Sequence, residues 1–273
     1  MSNSKSLLVL IPTYNHGAYI KDCINSVLDQ QTKHDIKIVC IDDCSTDETL
    51  EILKGIQKQF PDKIQILQNK KNLGRGRFSI IKKANEFSQN YDYWTLLNGD
   101  DSWLNNHRVE RQIDILEKNL NYIGCCGQTK MYDKTGKFLK IIKQDVSFYN
   151  LKDLIMLEGY KNLYAHPNSF IWKKIYYKKF KFILPKNKFF KIWGDLSIIY
   201  LMLNLDDKKK IFCLDEIVSK YNFNEKGIWS SLGKEKREKI NKNYYLNLMS
   251  MVSIKYKILI ILKKLNILNG KKN

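Results

Sequence analysis

The chain has 273 residues, of which 44% are hydrophobic, enough to build the core of one large α/β domain and too many for general disorder. No apolar run approaches the ~18 residues of a membrane-spanning helix, and the first apolar stretch is too short for a secretory signal. We therefore expect a cytoplasmic protein. Six cysteines without C-x-x-C pairs predict reduced thiols rather than a zinc site or a disulfide scaffold.

The net charge of +19 lies entirely in the C-terminal part of the chain. Residues 1–125 hold 16 basic and 16 acidic residues, whereas residues 126–273 hold 31 basic and 12 acidic ones. Contact of this half with an anionic partner, either nucleic acid or anionic lipid, would explain the asymmetry. A surface rich in solvated lysines is the simpler alternative.

The first hundred residues alternate short apolar runs with helical patterns, which predicts βαβ units around a mostly parallel sheet. Strands are expected at residues 7–11, 36–41, 64–67 and 93–97. Helices are expected over residues 18–30, after the capping residues Ser45 and Thr46, and from the loop 69–77 to Phe87.

The pattern is weaker in the second half of the chain. It indicates strands at residues 122–126 and 169–172 and helices at residues 151–157 and 195–203. No internal repeat and no Gly/Ser/Pro linker is visible, so we expect one continuous α/β fold with an elaborated second half.

Three polar clusters follow predicted strands, at the edge where open parallel sheets bind ligands: residues 12–15, residues 42–43 and residues 98–101. Asp100 and Asp101 are suited to a hard divalent cation, Mg²⁺ or Mn²⁺, that bridges to substrate phosphates. For an isolated Asp-Asp pair, a solvated acidic turn that caps the next helix would be the better explanation. This pair is not isolated, because Asp42 and Asp43 lie on the same predicted edge.

Other residues near this edge fit a nucleotide. Tyr14 can stack on a base, and a carboxylate of Asp42 or Asp43 can accept hydrogen bonds from a base or a ribose. Arg75 and Arg77 suit phosphate oxygens, and a solvated turn is the alternative for this pair.

Leu8 to Asn15, Ile41 to Asp47 and Leu97 to Asp101 together resemble, in order and spacing, the family 2 glycosyltransferases of the GT-A fold. The resemblance implies a Rossmann-like sheet flanked by helices, with a nucleotide-sugar donor at Pro12, Thr13, Tyr14, Asn15, Asp42 and Asp43. The family's D-x-D motif falls on Asn98-Gly99-Asp100. It places Asn98 and Gly99 beside the donor, Asp100 as the main metal ligand, and Asp101 as its neighbour or a second ligand.

Two later segments extend the resemblance. The segment that begins at His166 resembles a family strand near the acceptor site, although a core or surface histidine is an alternative. Trp193-Gly194-Asp195 resembles the motif whose aspartate is the catalytic base; an N-cap is the alternative for Asp195. Inverting transfer needs such a carboxylate to take the proton of the acceptor hydroxyl. Asn222 and Asn224 replace an arginine and a histidine of a third family segment.

By this resemblance, residues 1–125 form the half that binds the nucleotide-sugar and residues 126–235 form the half with the acceptor site and the base. Residues 236–273 form a basic amphipathic tail whose apolar stripe runs from Met251 to Leu268. The tail either lies on an anionic membrane, at the cytoplasmic face of the inner membrane, or packs on the domain.

The leading hypothesis is a metal-dependent inverting glycosyltransferase. It would move a sugar from a nucleotide donor, a UDP-sugar, to a glycan or lipid-linked acceptor of a bacterial surface polysaccharide, lipooligosaccharide or capsule. A nucleic-acid-binding protein that uses the basic half is the alternative. The acidic clusters argue against it because they repel phosphate. A degenerate family member that binds nucleotide without transfer is a third hypothesis.

Overall fold

The structure is a computed structural model. It describes residues 4–73, 87, 90–157, 163–174, 198–200, 202–204, 206–224, 233, 235, 238, 248–249 and 252–265. Arg75, Arg77, Trp193, Gly194 and Asp195 lie outside the described residues, as does nearly all of the helix expected before Phe87.

Four parallel strands form the first half of the sheet and alternate with helices. The bounds are β1 Ser6–Thr13, α1 Gly17–Leu28, β2 Asp35–Asp42, α2 Thr49–Gln59, β3 Ile64–Gln68 and β4 Tyr93–Leu96. Strand β1 pairs in parallel with β2 and β4, and β2 pairs in parallel with β3. The βαβ prediction is confirmed, and the carboxyl ends of β1, β2 and β4 lie at one edge of the sheet.

The second half of the sheet is mixed. Its elements are β5 Ser102–Trp103, α3 Arg108–Lys118, β6 Tyr122–Tyr132, β7 Phe138–Ile142, β8 Phe148–Tyr149, α4 Leu151–Met156, β9 Ile171–Lys173, β10 Lys210–Asn222 and α5 Ile254–Lys264. The order across the sheet is β3-β2-β1-β4-β9-β6-β10-β5, with β7 beside β6 and β8 beside β10. Strand β9 runs antiparallel to both β4 and β6 and so joins the two halves.

Strand β1 shows how the sheet separates two hydrophobic cores. Leu8 and Leu10 pack in one cluster with Trp94 of β4 and Trp172 of β9, while Leu7, Val9 and Ile11 pack in the other with α1. Successive side chains of a strand point to opposite faces, so a continuous apolar run supplies both cores. All five residues are fully buried.

The structure differs from the sequence prediction in several places. Helix α3 and strands β7, β8 and β10 were not anticipated, and β6 runs six residues past the expected end at Cys126. Ser45 and Thr46 do not cap α2, which begins at Thr49 without a side-chain cap. They hydrogen-bond to Asp42 and Asn15 instead, because the end of β1 lies beside their turn.

Helix α5 packs on the domain through a face other than the predicted apolar stripe. Tyr256 and Ile260 are buried, whereas Ile254, Ile258, Ile261 and Leu265 are 75%, 52%, 43% and 62% exposed. Lys263 Nζ donates to the carbonyl oxygens of Ile155 and Met156 at 3.0 and 2.5 Å, which ties the helix to the end of α4. Within the part of the chain that the structure describes, no helix is long and apolar enough to span a bilayer.

Candidate functional site

The loop after β1 is held by hydrogen bonds to the turn after β2. Asn15 has a positive φ of 53°, and its N–H donates to Ser45 Oγ at 3.0 Å. The Thr46 N–H donates in turn to Asn15 Oδ1 at 2.8 Å. Asparagine tolerates this left-handed conformation better than most residues. The loop is therefore fixed with Tyr14 42% exposed, free to offer a ring face to a ligand.

Asp42 and Asp43 both lie at this edge but have different surroundings. Asp42 is fully buried, and its carboxylate accepts hydrogen bonds from the Ser45 hydroxyl and N–H at 2.5 and 3.1 Å. Asp43 is half-buried and accepts from Asn69 Nδ2 at 2.7 Å and from the Leu73 N–H at 3.0 Å. Asp42 thus shapes its own turn, whereas Asp43 holds the loop that follows β3.

The third cluster approaches the first very closely. The Gly99 N–H donates to the Pro12 carbonyl at 3.0 Å. A Cβ on Gly99 would lie 2.8 Å from both Thr13 Oγ1 and His16 Nδ1, so only glycine fits here without displacing a neighbour. The sheet therefore brings the predicted residues of β1, β2 and the loop after β4 together.

Asp100 and Asp101 are adjacent in sequence but face different environments. Asp100 has a side chain that is 24% exposed, and its Oδ2 lies 3.8 Å from His16 Nε2. Asp101 is 1% exposed and accepts a hydrogen bond from the Asn222 N–H at 3.0 Å. Asn222 Nδ2 also donates to the Asp100 carbonyl at 2.6 Å, so the end of β10 closes over this loop.

His166 lies on the buried side of the same loop. Its Nδ1 is 4.0 Å from Asp101 Oδ2, and its ring stacks on Tyr221 with centroids 4.2 Å apart. The residue is 5% exposed. The predicted acceptor-site histidine therefore lies next to the acidic loop, within the protein rather than on its surface.

The residues present suit a divalent cation at Asp100. Its carboxylate reaches the surface of the site, whereas Asp101 is buried among protein partners and Asn98 carries no charge. His16, whose Nε2 lies 3.8 Å from Asp100 Oδ2, has a buried Nδ1 atom to which no described residue gives a hydrogen-bond partner. When bound there, a cation would balance the charge of Asp100 and of a donor diphosphate.

Among the described residues, a second group with metal-ligand atoms consists of His34, Glu110 and Asp114. This group lies near the amino end of β2, whereas Asp42 lies at the carboxyl end of the same strand. Lys33 Nζ is 2.5 Å from Glu110 and 3.5 Å from Asp114, so an ammonium already neutralises the carboxylates. His34 Nδ1 accepts the Lys5 N–H at 3.2 Å, which leaves the ring proton of the neutral imidazole on Nε2, facing Glu110. These contacts favour a charge network over a metal site.

Sequence analysis missed three residues that support the site. His16 directly follows the predicted loop residue Asn15, so its position in the sequence could have identified it as a site residue. Asn168 joins the turn before β9 to β10, since its Nδ2 donates to the Lys220 carbonyl at 3.1 Å and its Oδ1 accepts from the Ser219 hydroxyl at 2.9 Å. Arg108 is fully buried and donates to the Asn168 carbonyl at 2.7 Å, and burial lowers its pKa to about 9. No local pattern marks the last two.

The model of the family described as Glycosyl transferase family 2 matches residues 8–194, and the chain belongs to this family. It is 28% identical over 278 residues to an uncharacterized glycosyltransferase of Haemophilus influenzae, covering 90% of this chain and 76% of that protein. It is 35% identical over 117 residues to TuaG of Bacillus subtilis, named for teichuronic acid biosynthesis, covering 42% of this chain. The match spans 44% of TuaG, less than half of that protein's length.

Solved structures confirm the predicted GT-A fold class. A crystal structure of Staphylococcus aureus TarS in complex with UDP-GlcNAc matches with a TM-score of 0.64 at 20% sequence identity, covering 96% of this chain and 72% of that one. A Pyrobaculum calidifontis mannosyltransferase in complex with GDP-Man and Mn²⁺ matches with a TM-score of 0.61 at 12% identity, covering 96% and 70%. At these identities the likeness shows the fold alone.

Proposed function

We propose that this chain is an inverting, metal-dependent glycosyltransferase that moves a sugar from a UDP-sugar to an acceptor hydroxyl during bacterial surface-glycan synthesis. One observation carries the proposal: residues 12–15, 42–43 and 98–101 meet at the carboxyl ends of β1, β2 and β4, with Asp100 and Tyr14 accessible. Family membership supports the transfer chemistry. The UDP-GlcNAc complex of TarS and the name of TuaG support the donor class and the pathway class.

Different residues at this edge of the sheet would contact different parts of the donor. Tyr14 offers a ring face to the base, and Asp43 offers a half-buried carboxylate to the base or ribose. Asp100 would hold the Mg²⁺ or Mn²⁺ ion, which would supply positive charge to balance that of the departing diphosphate. Arg75 and Arg77 stay proposed phosphate contacts, supported by their sequence position alone.

Asp195 is the proposed base, and its support is the sequence motif Trp193-Gly194-Asp195 together with the needs of the chemistry. An inverting displacement requires a carboxylate that accepts the proton as the acceptor oxygen attacks. The acceptor site is proposed to lie near His166, Trp193 and Gly194. Replacement of Asp195 by Asn should lower kcat by about 10²–10⁴-fold while leaving UDP affinity unchanged.

The donor site is tested by calorimetric titration of the protein with UDP, with and without Mn²⁺. We expect binding that Mn²⁺ strengthens, and loss of the Mn²⁺ effect in Asp100→Ala. Asp62→Ala removes an exposed carboxylate on the turn before β3 and serves as the matched control, which should bind like the wild type. Absence of UDP binding with any divalent ion would refute the proposed donor, and turnover of UDP-sugars then tests transfer directly.

We also propose that the exposed stripe of α5, formed by Ile254, Ile258, Ile261 and Leu265, rests on an anionic membrane that carries a lipid-linked acceptor. The stripe is apolar, and Lys257 and Lys264 flank it on one side with Lys255 on the other. Each lysine near an anionic surface adds about 1 kcal/mol of attraction. In this proposal, the enzyme would lie at the cytoplasmic face of the inner membrane.

Sedimentation with phosphatidylglycerol vesicles tests the membrane contact. Leu265→Glu should abolish co-sedimentation, whereas Leu120→Glu, the same change at a leucine that is 78% exposed elsewhere, should have no effect. Equal loss in both variants, or equal binding to neutral phosphatidylcholine vesicles, would contradict the proposal. Nucleic acid is not favoured as a partner, because the donor edge is acidic and the chain belongs to a transferase family.

A further inference from the structure

Among the described residues of the 98–101 loop, Asp100 alone offers an accessible carboxylate to the proposed metal. Asn98 is neutral, and its Nδ2 donates toward Asp101 Oδ2 at 3.4 Å. Asp101 is 1% exposed and holds the end of β10 through the Asn222 N–H. A divalent ion bound through Asp100 alone would keep most of its coordination sphere for water and phosphate, so a further protein ligand would strengthen binding.

His16 is placed to supply that ligand. Its Nε2 lies 3.8 Å from Asp100 Oδ2, and the two side chains are 22% and 24% exposed. Two atoms that are each about 2.1 Å from one ion can be up to about 4.2 Å apart, so a single ion can bind both. Their separation is too long for a hydrogen bond, which leaves room for an ion between them.

The other ring nitrogen of His16, Nδ1, is buried, but among the described residues it lacks the hydrogen-bond acceptor that a ligating histidine usually has. A histidine that binds metal through Nε2 carries its proton on Nδ1 and usually donates it to a buried acceptor. His16 Nδ1 is buried, and like Thr13 Oγ1 it lacks a hydrogen-bond partner among the residues that the structure describes. Both atoms lie 2.8 Å from the position that a Cβ on Gly99 would take, so they border the same small space.

Hydrogen bonds hold the backbone of His16 in place beside the 98–101 loop. The His16 N–H donates to Thr49 Oγ1 at 2.8 Å, and the His16 carbonyl accepts from Tyr19 and Ile20, each at 2.8 Å, at the start of α1. The neighbouring Gly17 N–H donates to Asp47 Oδ2 at 3.0 Å. These bonds join the residue to both the β1 loop and the start of α2.

We infer that His16 Nε2 and Asp100 Oδ2 together bind the divalent cation, and that the imidazole makes the site prefer Mn²⁺ to Mg²⁺. Imidazole nitrogen is a poor ligand for Mg²⁺ and a better one for transition metals. The inference rests on the proposed donor site, since the cation is the one that the donor diphosphate would share.

Pulsed electron paramagnetic resonance of the protein with Mn²⁺ and UDP tests the inference. The wild type should show hyperfine coupling of Mn²⁺ to an imidazole nitrogen, and the coupling should change when histidine is labelled with ¹⁵N. His16→Gln should lose the coupling and bind Mn²⁺ in the UDP complex at least about tenfold more weakly. His107→Gln removes an exposed histidine and should keep both properties.

Two outcomes overturn the inference while the proposed function survives. One is Mn²⁺-dependent UDP binding without any nitrogen coupling in the wild type, and the other is coupling that persists in His16→Gln. If the wild type shows no Mn²⁺-dependent UDP binding, the donor site and the inference fail together. Because His16→Gln could misfold, His16→Asp provides a second test: an oxygen ligand should reduce the preference for Mn²⁺ over Mg²⁺ about tenfold.

Discussion

Replacing Gly99 by alanine tests the close contact between the loop after β4 and the loop after β1 in the candidate site. The new Cβ would lie 2.8 Å from His16 Nδ1 and Thr13 Oγ1 and 2.9 Å from Thr13 Cβ. Ordinary contacts of this kind are about 3.5–4.0 Å, so at least one neighbour must move by roughly 0.7 Å. Gly99 does not have a positive φ, so alanine adds no backbone strain and the effect is steric.

Thr13 is the neighbour less able to move, since it pairs with Asp42 at the end of β1 and is 3% exposed. His16 is therefore expected to shift away from Asp100. Overpacking of this size costs about 1–3 kcal/mol of unfolding free energy. Urea denaturation followed by circular dichroism measures that loss, and titration with UDP and Mn²⁺ should show affinity reduced at least about tenfold.

Gly55→Ala is the matched control for this substitution. Gly55 lies within α2, and a Cβ there meets no atom within 4 Å. Alanine should stabilise the protein by about 0.8–1.0 kcal/mol, because glycine is the poorer helix former. The reasoning is refuted if Gly99→Ala keeps wild-type stability and Mn²⁺-dependent binding, or if Gly55→Ala is as destabilising as Gly99→Ala.

Three further predictions concern the rest of the molecule. Gly124→Ala should lower the free energy of unfolding in urea by about 3 kcal/mol or more. The new Cβ would lie 2.5 Å from the Trp172 ring, and that ring cannot move away because it is stacked on Phe170 with centroids 4.5 Å apart. Burial opposes ionisation of Glu110, but hydrogen bonds from Lys33 and Thr32 outweigh it and lower its pKa to about 2. Stability should therefore fall as the pH drops from about 4.5 toward 2, and Glu110→Gln should flatten that slope in unfolding measured across pH. Finally, Cys44 should react first with a thiol reagent, because it alone of the six free cysteines is not buried, and UDP should slow that reaction if the adjacent Asp43 holds the donor.

Helix α5 of the basic tail has one face that packs on the domain and another, apolar face that is exposed. The sequence offered a choice between packing on the domain and lying on a membrane. The structure shows packing through Tyr256 and Ile260 with a separate apolar stripe still exposed. One helix can therefore satisfy both roles, since its lysines at positions 255, 257 and 264 border the exposed stripe and Lys263 binds carbonyls of α4.

The end of β10 covers the acidic loop of residues 98–101, and this contact shows what Asn222 does in the structure. By the family resemblance, Asn222 and Asn224 replace an arginine and a histidine. In the structure Asn222 acts through its backbone and side-chain amides, which donate to Asp101 Oδ1 and the Asp100 carbonyl. A neutral asparagine can make both bonds, so this position supports the geometry of the loop without adding charge.

The strands of the first half could be predicted from local patterns, because β1, β2, β3 and β4 are short runs rich in apolar residues, with polar residues at or just after their ends. The sequence also placed residues 12–15, 42–43 and 98–101 at one edge, since carboxyl ends of parallel strands share an edge. Helix α3 and strand β10 escaped prediction. Strand β10 is only partly buried and has register shifts against β6, so its apolar residues follow no simple period.

Which acidic residue reaches the candidate site depends on contacts between segments that are distant in sequence. Asp100 and Asp101 are neighbours, and nothing local distinguishes their carboxylates. The distinction comes from Asn222, which is more than 100 positions away in sequence and covers Asp101 through its N–H. The same holds for His16, whose distance of 3.8 Å to Asp100 exists because parallel pairing of β1 and β4 brings their following loops together. Contacts between segments far apart in sequence depend on packing, which local patterns do not encode.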